Sequence, residues 1–310
     1  MNRGERGKRG TRAAAVVAGL GLVIPAAAWG FADDLGPRPI AMGQSGLADA
    51  RGTDGLRLNP GGMSLAPLYT LSGDYQFVTK QGGHALRVAV ADSTSASGLA
   101  GGLYYGYRAA SPAGAPTLGA HEAGLALAYP FADRFFVGAT LKYFRVSGLL
   151  EADGNARHTG FTTDVGIVVK GGSGISVGVT GYNLRDLGSR EAPVALGYGV
   201  AVAPQPTLTF TLDVRHDFTT YDPTRGVATS VGGGGELVAQ GFLVIRAGGG
   251  RDGATRTGYA TAGVAALSGL GAIDAGVRQD LTGDRKLTYV VVGLQLFVES
   301  PKPSGSSDIH

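Results

Sequence analysis

"TLTFTLDVRHDF", residues 207–218, decides the fold. Leu208, Phe210, Leu212 and Val214 fall on one face of an extended chain. Thr209, Thr211, Asp213, Arg215 and Asp217 fall on the other. Successive strand side chains point to opposite faces, so one face can meet lipid and the other a polar interior. "ISVGVTGY" (175–182) repeats the pattern, with Ile175, Val177 and Val179 opposite Ser176, Thr180 and Tyr182. "FTTDVGIVVK" (161–170) sets Val165, Ile167 and Val169 against Asp164.

Outward from this stretch, about fourteen segments of similar length run from Tyr69 to the C-terminal region. Their expected spans are 69–78, 84–94, 98–109, 120–131, 134–148, 160–171, 174–185, 192–203, 207–218, 227–239, 241–251, 257–268, 271–282 and 286–298. An even strand number suits a bacterial outer-membrane barrel, which also alternates short periplasmic turns with longer external loops. The even-numbered connections here are mostly tight: "YPFADR", "KGGSG", "APQP", "AQG" and "LSGLG". The odd-numbered ones include "GLLEADGNARHTG", "LRDLGSREA", "FTTYDPTRG" and "RDGATRTG". That alternation places both termini in the periplasm. The competing class is a soluble β-sandwich built from similar short strands.

Composition points the same way. Gly accounts for 54 of 310 residues, and only 16% are charged, against a typical quarter. Cys is absent, which excludes disulfides and thiolate sites. "MNRGERGKRGTR" followed by "AAAVVAGLGLVIPAAA" reads as a cleavable secretory signal, with Ala26-Ala27-Ala28 as the cleavage site. Taking the leader's net +4 from the chain's +3 leaves about −1, so no basic surface for nucleic acid is expected. No later run approaches the length of a membrane helix. A membrane protein without helices must close its sheet, because every backbone polar group in lipid needs a partner. The expected class is therefore all-β: a transmembrane antiparallel barrel in contact with outer-membrane lipids. The expected divisions are a signal peptide at 1–28, an N-terminal hatch at 29–67, the barrel at 68–299 and a periplasmic tail at 300–310.

The strand pattern turns eleven charges inward: Asp74, Arg87, Glu122, Lys142, Asp164, Asp213, Arg215, Glu236, Arg246, Asp274 and Arg278. Six acids and five bases nearly balance, which fits an ion-pair lattice across the lumen and between hatch and wall. An ion path would show an excess of one sign. Glu236 and Arg246 flank one tight turn and are expected to pair. His84, His121, His158 and His216 fall near the external rim. They invite a rim hydrolase as a third functional class, but no Ser or second His is placed beside them. Neither catalysis nor a cofactor or metal is expected. "GGGGE" and "KGGSG" lack the spacing of a phosphate loop. Tyr104, Tyr105, Tyr107, Tyr129, Phe131, Phe135, Phe136, Tyr143, Tyr289 and Phe297 are expected to form interfacial aromatic girdles.

The segment before the first strand, "RPIAMGQSGLADARGTDGLRLNPGGM" (38–63), is rich in small residues. It is suited to folding into the barrel as a hatch. "GTDG" (52–55) should turn, and Pro60 should hold Asn59 extended, ending any helix over Gln44–Arg51. The alternative is a disordered lead-in. The segment resembles the N-terminal region of the FadL-type outer-membrane barrels, including their PorV/PorQ-like branch. The matching positions are Ala41, Met42, Gly43, Gly46, Ala48, Asp54, Asn59, Pro60, Gly62 and Met63, with Gly61 where the family usually has Ala. "GYNLRDLG" (181–188) and "GGELVAQGFLVIRAGGGRDG" (234–253) resemble a strand end and a hairpin of the same family. The resemblance implies a fourteen-stranded barrel with a hatch. In one branch it implies passive uptake of a hydrophobic small molecule. In the other it implies a docking role with envelope export proteins or in surface attachment. The chain lacks the long external extensions of the fatty-acid transporters. Those transporters release substrate sideways at a kink in strand three, where this chain has Gly101 and Gly102. These glycines either interrupt the wall as a lateral gate or relieve crowding against the hatch. "SPKPSGSSDIH" (300–310) is polar and reads as a tail or a partner contact.

Overall fold

The computed structural model describes residues 35–80, 83–95, 97–110, 118–147, 157–188, 191–219, 226–283 and 286–298. The proposed signal peptide, the first residues of the hatch and the C-terminal tail lie outside them. Fourteen strands follow in chain order: β1 Tyr69–Val78, β2 Gly83–Asp92, β3 Ala100–Ala110, β4 Leu118–Ala132, β5 Phe135–Ser147, β6 Arg157–Lys170 and β7 Ile175–Tyr182, then β8 Ala195–Gln205, β9 Leu208–Asp217, β10 Ala228–Ala239, β11 Leu243–Asp252, β12 Thr257–Ser268, β13 Gly271–Asp280 and β14 Thr288–Phe297. Each pairs antiparallel with its sequence neighbours, and β1 pairs with β14 from Thr70↔Phe297 to Val78↔Tyr289, closing the barrel. Closure removes the free sheet edges that lipid would not tolerate. No helix among the described residues is long and apolar enough to cross a membrane.

Alternation controls which face is buried. On β9, Phe210 and Leu212 are exposed outward while Thr211 and Asp213 are buried inward. Tight turns join strands at the end where the chain enters. Ser173 and Gly174 have φ of 58° and 74°, and Gln240 and Gly241 have 51° and 76°. Two successive positive φ values match the twist of flanking strands in a tight hairpin. β6–β7 pairing stops at Val165↔Gly181, although β6 continues to Arg157. β7 ends there because Asn183 turns left-handed (φ 50°), and its backbone N–H donates to Asp164 Oδ1 at 2.7 Å.

The chain before β1 folds inside the barrel. Helix α1 (Pro37–Ala41) starts with Pro at its first position, where a missing N–H costs nothing. Short 3-10 turns span Leu47–Asp49 and Pro60–Leu65, and helix α2 spans Gly52–Leu58. Two local expectations are corrected. Residues 44–51 hold only the Leu47–Asp49 turn, and "GTDG" is the first turn of α2. Packing of Leu56 and Leu58 inward overrides the turn preference of Gly and Asp. Asn59 is extended (φ −159°) as expected from Pro60, and the helix it ends is α2 rather than one over 44–51.

The glycine excess acquires a reason. A Cβ on Gly232 would lie 1.9 Å from Gly43 O, and one on Gly138 would lie 2.4 Å from the Pro60 carbonyl carbon. Strand backbone and hatch backbone touch directly at these places, so no side chain fits between them. In "GGGGE", Gly232 and Gly234 face the hatch, while Gly233 and Gly235 point outward beside Leu212 and Phe210.

Candidate functional site

The hatch is fixed to the wall through the residues of its small-residue motif. Met42 is fully buried. Gly43 (φ +71°) donates its N–H to Thr261 Oγ1 at 3.0 Å, and its carbonyl accepts from Tyr259 Oη at 3.0 Å. Gly46 (φ +127°) and Leu47 donate backbone N–H groups to Asp213 Oδ2 at 2.8 and 2.9 Å. Asn59 Nδ2 donates to Leu47 O at 3.2 Å and to Ile167 O at 3.0 Å, while its Oδ1 accepts from Gly61 N at 3.1 Å. One side chain thus ties two hatch turns and β6. Pro60 opens the second 3-10 turn, and Gly62 donates back to Asn59 O at 2.9 Å. A Cβ on Gly61 would lie 2.9 Å from the carbonyls of Gly166 and Phe136, which accounts for Gly where Ala was expected.

Charges continue the same connection. Glu236 and Arg246 are direct cross-strand partners, with Arg246 Nε donating to Glu236 Oε2 at 2.6 Å. Arg246 also reaches Asp274 at 2.7 Å. From the hatch, Arg38 binds Glu236 at 3.0 Å and Asp49 at 2.8 Å. Elsewhere Arg57 pairs with Glu122 at 3.0 Å, Lys142 with Asp164 at 2.7 Å, Arg87 with Asp74 at 3.3 Å and Arg215 with Asp217 at 2.7 Å. Arg278 contacts Asp280 at 3.1 Å and Gln44 at 2.8 Å, and lies over the rings of Tyr259 and Tyr289. Burial alone would lower the Arg38 pKa, but Glu236 and Asp49 outweigh it and hold the group charged. Burial, against the pull of Arg38, pushes Asp54 up to about 6.

Sequence reasoning missed Arg38, Asp49 and Arg57 as partners in this lattice. The available signal was that a hatch folded into a low-dielectric lumen must pair its few charges. It also missed Arg108, which is fully buried on β3. The girdle expectation needs correction. Tyr104, Phe136 and Tyr289 are buried inside, and Phe297 shares the inward register of Tyr289. Adjacent residues such as Tyr104 and Tyr105 cannot both face lipid on a regular strand. Tyr105, Tyr107, Tyr129, Phe131 and Phe135 do face outward.

Above the hatch, towards the end carrying the longer connections, lies a cavity of about 170 Å3. Its apolar lining includes Leu47, Leu58, Tyr104, Phe144, Tyr182 and Tyr259. The Arg57–Glu122, Lys142–Asp164 and Arg215–Asp217 pairs frame it. Gly101 and Gly102 pair without a register shift to Asp92 and Ala91 on one side and to Leu127 and Ala126 on the other. A Cβ on Gly102 would lie 2.6 Å from Leu56 Cδ2, so the hatch fills the space behind this wall. His84, His121 and His216 face outward, each bonded to a tyrosine hydroxyl; the His158 side chain lies outside the described residues. Among the described residues no group of His, Asp or Glu is arranged to hold a metal.

Solved structures share this architecture. The chain superposes on the Ralstonia pickettii toluene transporter TbuX with a TM-score of 0.66 at 13% identity, covering 86% of this chain and 98% of that one. The monoaromatic hydrocarbon channel CymD gives 0.66 at 14% identity, covering 85% and 97%. A Pseudomonas aeruginosa FadL homologue gives 0.63 at 10% identity, covering 85% and 98%. No family model and no curated protein sequence matches. The fold is that of the FadL-type outer-membrane barrels.

Proposed function

We propose that this protein is a non-enzymatic outer-membrane channel for passive transport of small hydrophobic compounds. In this reading the leader 1–28 is removed, and the hatch at 29–67 and the tail at 300–310 place both ends of the mature chain in the periplasm. The observation that carries it is the cavity of about 170 Å3, in which Leu47, Leu58, Tyr104, Phe144, Tyr182 and Tyr259 stand between charged groups held in ion pairs. An apolar cavity of about 150 Å3 accepts benzene, and the likeness is one of volume alone, since this lining also carries charged pairs. The volume therefore suits a single small ring and is too small for a long acyl chain. The similarity in fold to toluene and monoaromatic channels supports the same substrate class.

The passage out of the cavity is the second part of the proposal. The wall at Gly101–Gly102 is paired on both sides and backed by Leu56 and Met63. The weaker seam lies between β6 and β7. Beyond Val165↔Gly181, ladder pairing gives way to Asn183 N–H to Asp164 Oδ1 at 2.7 Å, Leu184 N–H to Thr163 O at 2.9 Å and bonds between Thr162 and Arg185. Asp164 and Asn183 line the cavity at this seam. The docking role remains the second reading, favoured by how completely the hatch is bonded to the wall.

Ser230 lines the cavity without belonging to an ion pair between hatch and wall. Ser230→Phe should fill the space and lower uptake of radiolabelled toluene by cells about fivefold, a loss set by steric exclusion from a close-packed site. Barrel assembly should stay unchanged. If wild-type uptake equals that of cells lacking the protein, the channel reading fails and the docking reading gains.

A further inference from the structure

The outer surface carries a recurring arrangement that transport through the lumen does not use. At the end bearing the longer connections, three histidines face outward, each paired diagonally with a tyrosine on the neighbouring strand. Tyr75 pairs with His84, Tyr105 Oη lies 2.7 Å from His121 Nδ1, and Tyr198 Oη lies 3.0 Å from His216 Nε2. His216 is held at both ring nitrogens, the second by Thr229 at 2.9 Å. His121 stands beside Arg145, its direct cross-strand partner on β5.

The surface is layered around that pair. Tyr107, His121 and Arg145 form one row across β3, β4 and β5. One step towards the barrel middle the row is Tyr105, Ala123 and Tyr143, and the next is Leu103, Leu125 and Leu141. Aliphatic, aromatic and cationic rows in that order match hydrocarbon, interface and headgroup levels of a bilayer. Charge sign is segregated as well. Among strand residues whose side chains are described, the outward histidines and arginines at this end are His84, His121, His216, Arg145 and Arg251, with no outward carboxylate beside them. The outward carboxylate Asp92 sits at the opposite end of β2.

We propose that the His121–Arg145 pair, framed by Tyr105 and Tyr107, is a docking site for the phosphate of a membrane lipid headgroup. The guanidinium supplies a planar fork of donors that matches phosphate oxygens. Tyr105 engages Nδ1 of His121 and fixes the ring, so that Nε2 is the atom turned to the phosphate edge. Tyr107, whose ring centroid lies 4.9 Å from that of His121, and Tyr143 pack beside the lipid's glycerol and upper chain region. The site lies on the outer wall and does not depend on what crosses the lumen.

The test uses the purified full-length barrel in maltoside micelles, where membrane sidedness plays no part. Bound lipid is counted by native mass spectrometry during titration with dioleoyl phosphatidic acid, dioleoylglycerol or dioleoyl phosphatidylcholine. The wild type should retain phosphatidic acid in preference to dioleoylglycerol, which has the same chains without phosphate. The double variant His121→Gln/Arg145→Gln should reduce phosphatidic acid retention about fivefold, the scale of an exposed charge-assisted contact. Arg145→Lys should restore part of it, and Asp92→Asn at the far end should change nothing. Millimolar inorganic phosphate should not displace the lipid, because the chains contribute to docking. Equal retention of phosphatidic acid by the wild type and the double variant, both still heat-modifiable on gels, would overturn the proposal. So would equal retention of dioleoylglycerol by the wild type, or displacement by free phosphate.

Discussion

At the scale of single residues, Glu236 holds the hatch and wall together. It accepts from Arg38 of the hatch and from Arg246 of β11. Removing one partner of a buried pair costs about 3–5 kcal/mol. The cost here should be lower, about 1–3 kcal/mol, because Arg38 keeps Asp49, Arg246 keeps Asp274 and the site is not fully dry. Glu236→Ala should therefore shift heat-modifiable gel migration to a lower temperature, and Arg38→Ala should do the same. A wild-type transition for both variants would show that these pairs carry no stability. The cross-strand half of this cluster was legible, since Glu236 and Arg246 flank a tight turn at matching parity. The Arg38 half was not, because 198 residues separate Arg38 from Glu236 and no local pattern spans that distance.

At the scale of elements, the hatch is built from pieces too short to be stable alone. Helix α2 has 7 residues and α1 has 5, well below the length at which isolated helices persist in water. Their stability comes from packing against a wall that is glycine where the two backbones touch and that bonds the hatch through Thr140, Tyr182, Asp213, Tyr259 and Thr261 elsewhere. Gly138 shows how narrow the tolerance is, since an added Cβ would lie 2.4 Å from the Pro60 carbonyl carbon. Gly138→Val should leave β5 intact, because Val favours strands, but should unseat the Pro60–Leu65 turn. Single-channel recordings in planar bilayers should then show ion conductance well above the wild type. Closed behaviour in both proteins would mean that the contact is not what seats the hatch.

At the scale of the whole molecule, the barrel is polarised. Short turns and the chain entry lie at one end, and the longer connections lie at the other, towards which the cavity is placed. If that polarity sets orientation in the membrane, tags in the 148–156 and 220–225 connections should be cut by protease added to intact cells. A tag after Gly305 should be protected until the outer membrane is permeabilised. Cleavage of the C-terminal tag on intact cells would invert the topology and place the cavity end of the barrel in the periplasm.

The sequence by itself determined the strands, their number and their inward and outward faces. These depend on a period of two and on turn residues such as Ser173-Gly174 and Gln240-Gly241, which are local properties of the chain. It also marked which charges turn inward, since parity along a strand settles that. The path of the hatch was decided only by tertiary structure. "GTDG" is a turn by composition and a helix in fact, because burial of Leu56 and Leu58 in the lumen outweighs intrinsic preference. The same holds for Gly101-Gly102. A strand glycine can mark a kink or make room for a neighbour, and that Leu56 lies behind Gly102 is a tertiary fact no local pattern gives. The early end of β6–β7 pairing was equally hidden, because it depends on where two strands of unequal length stop pairing.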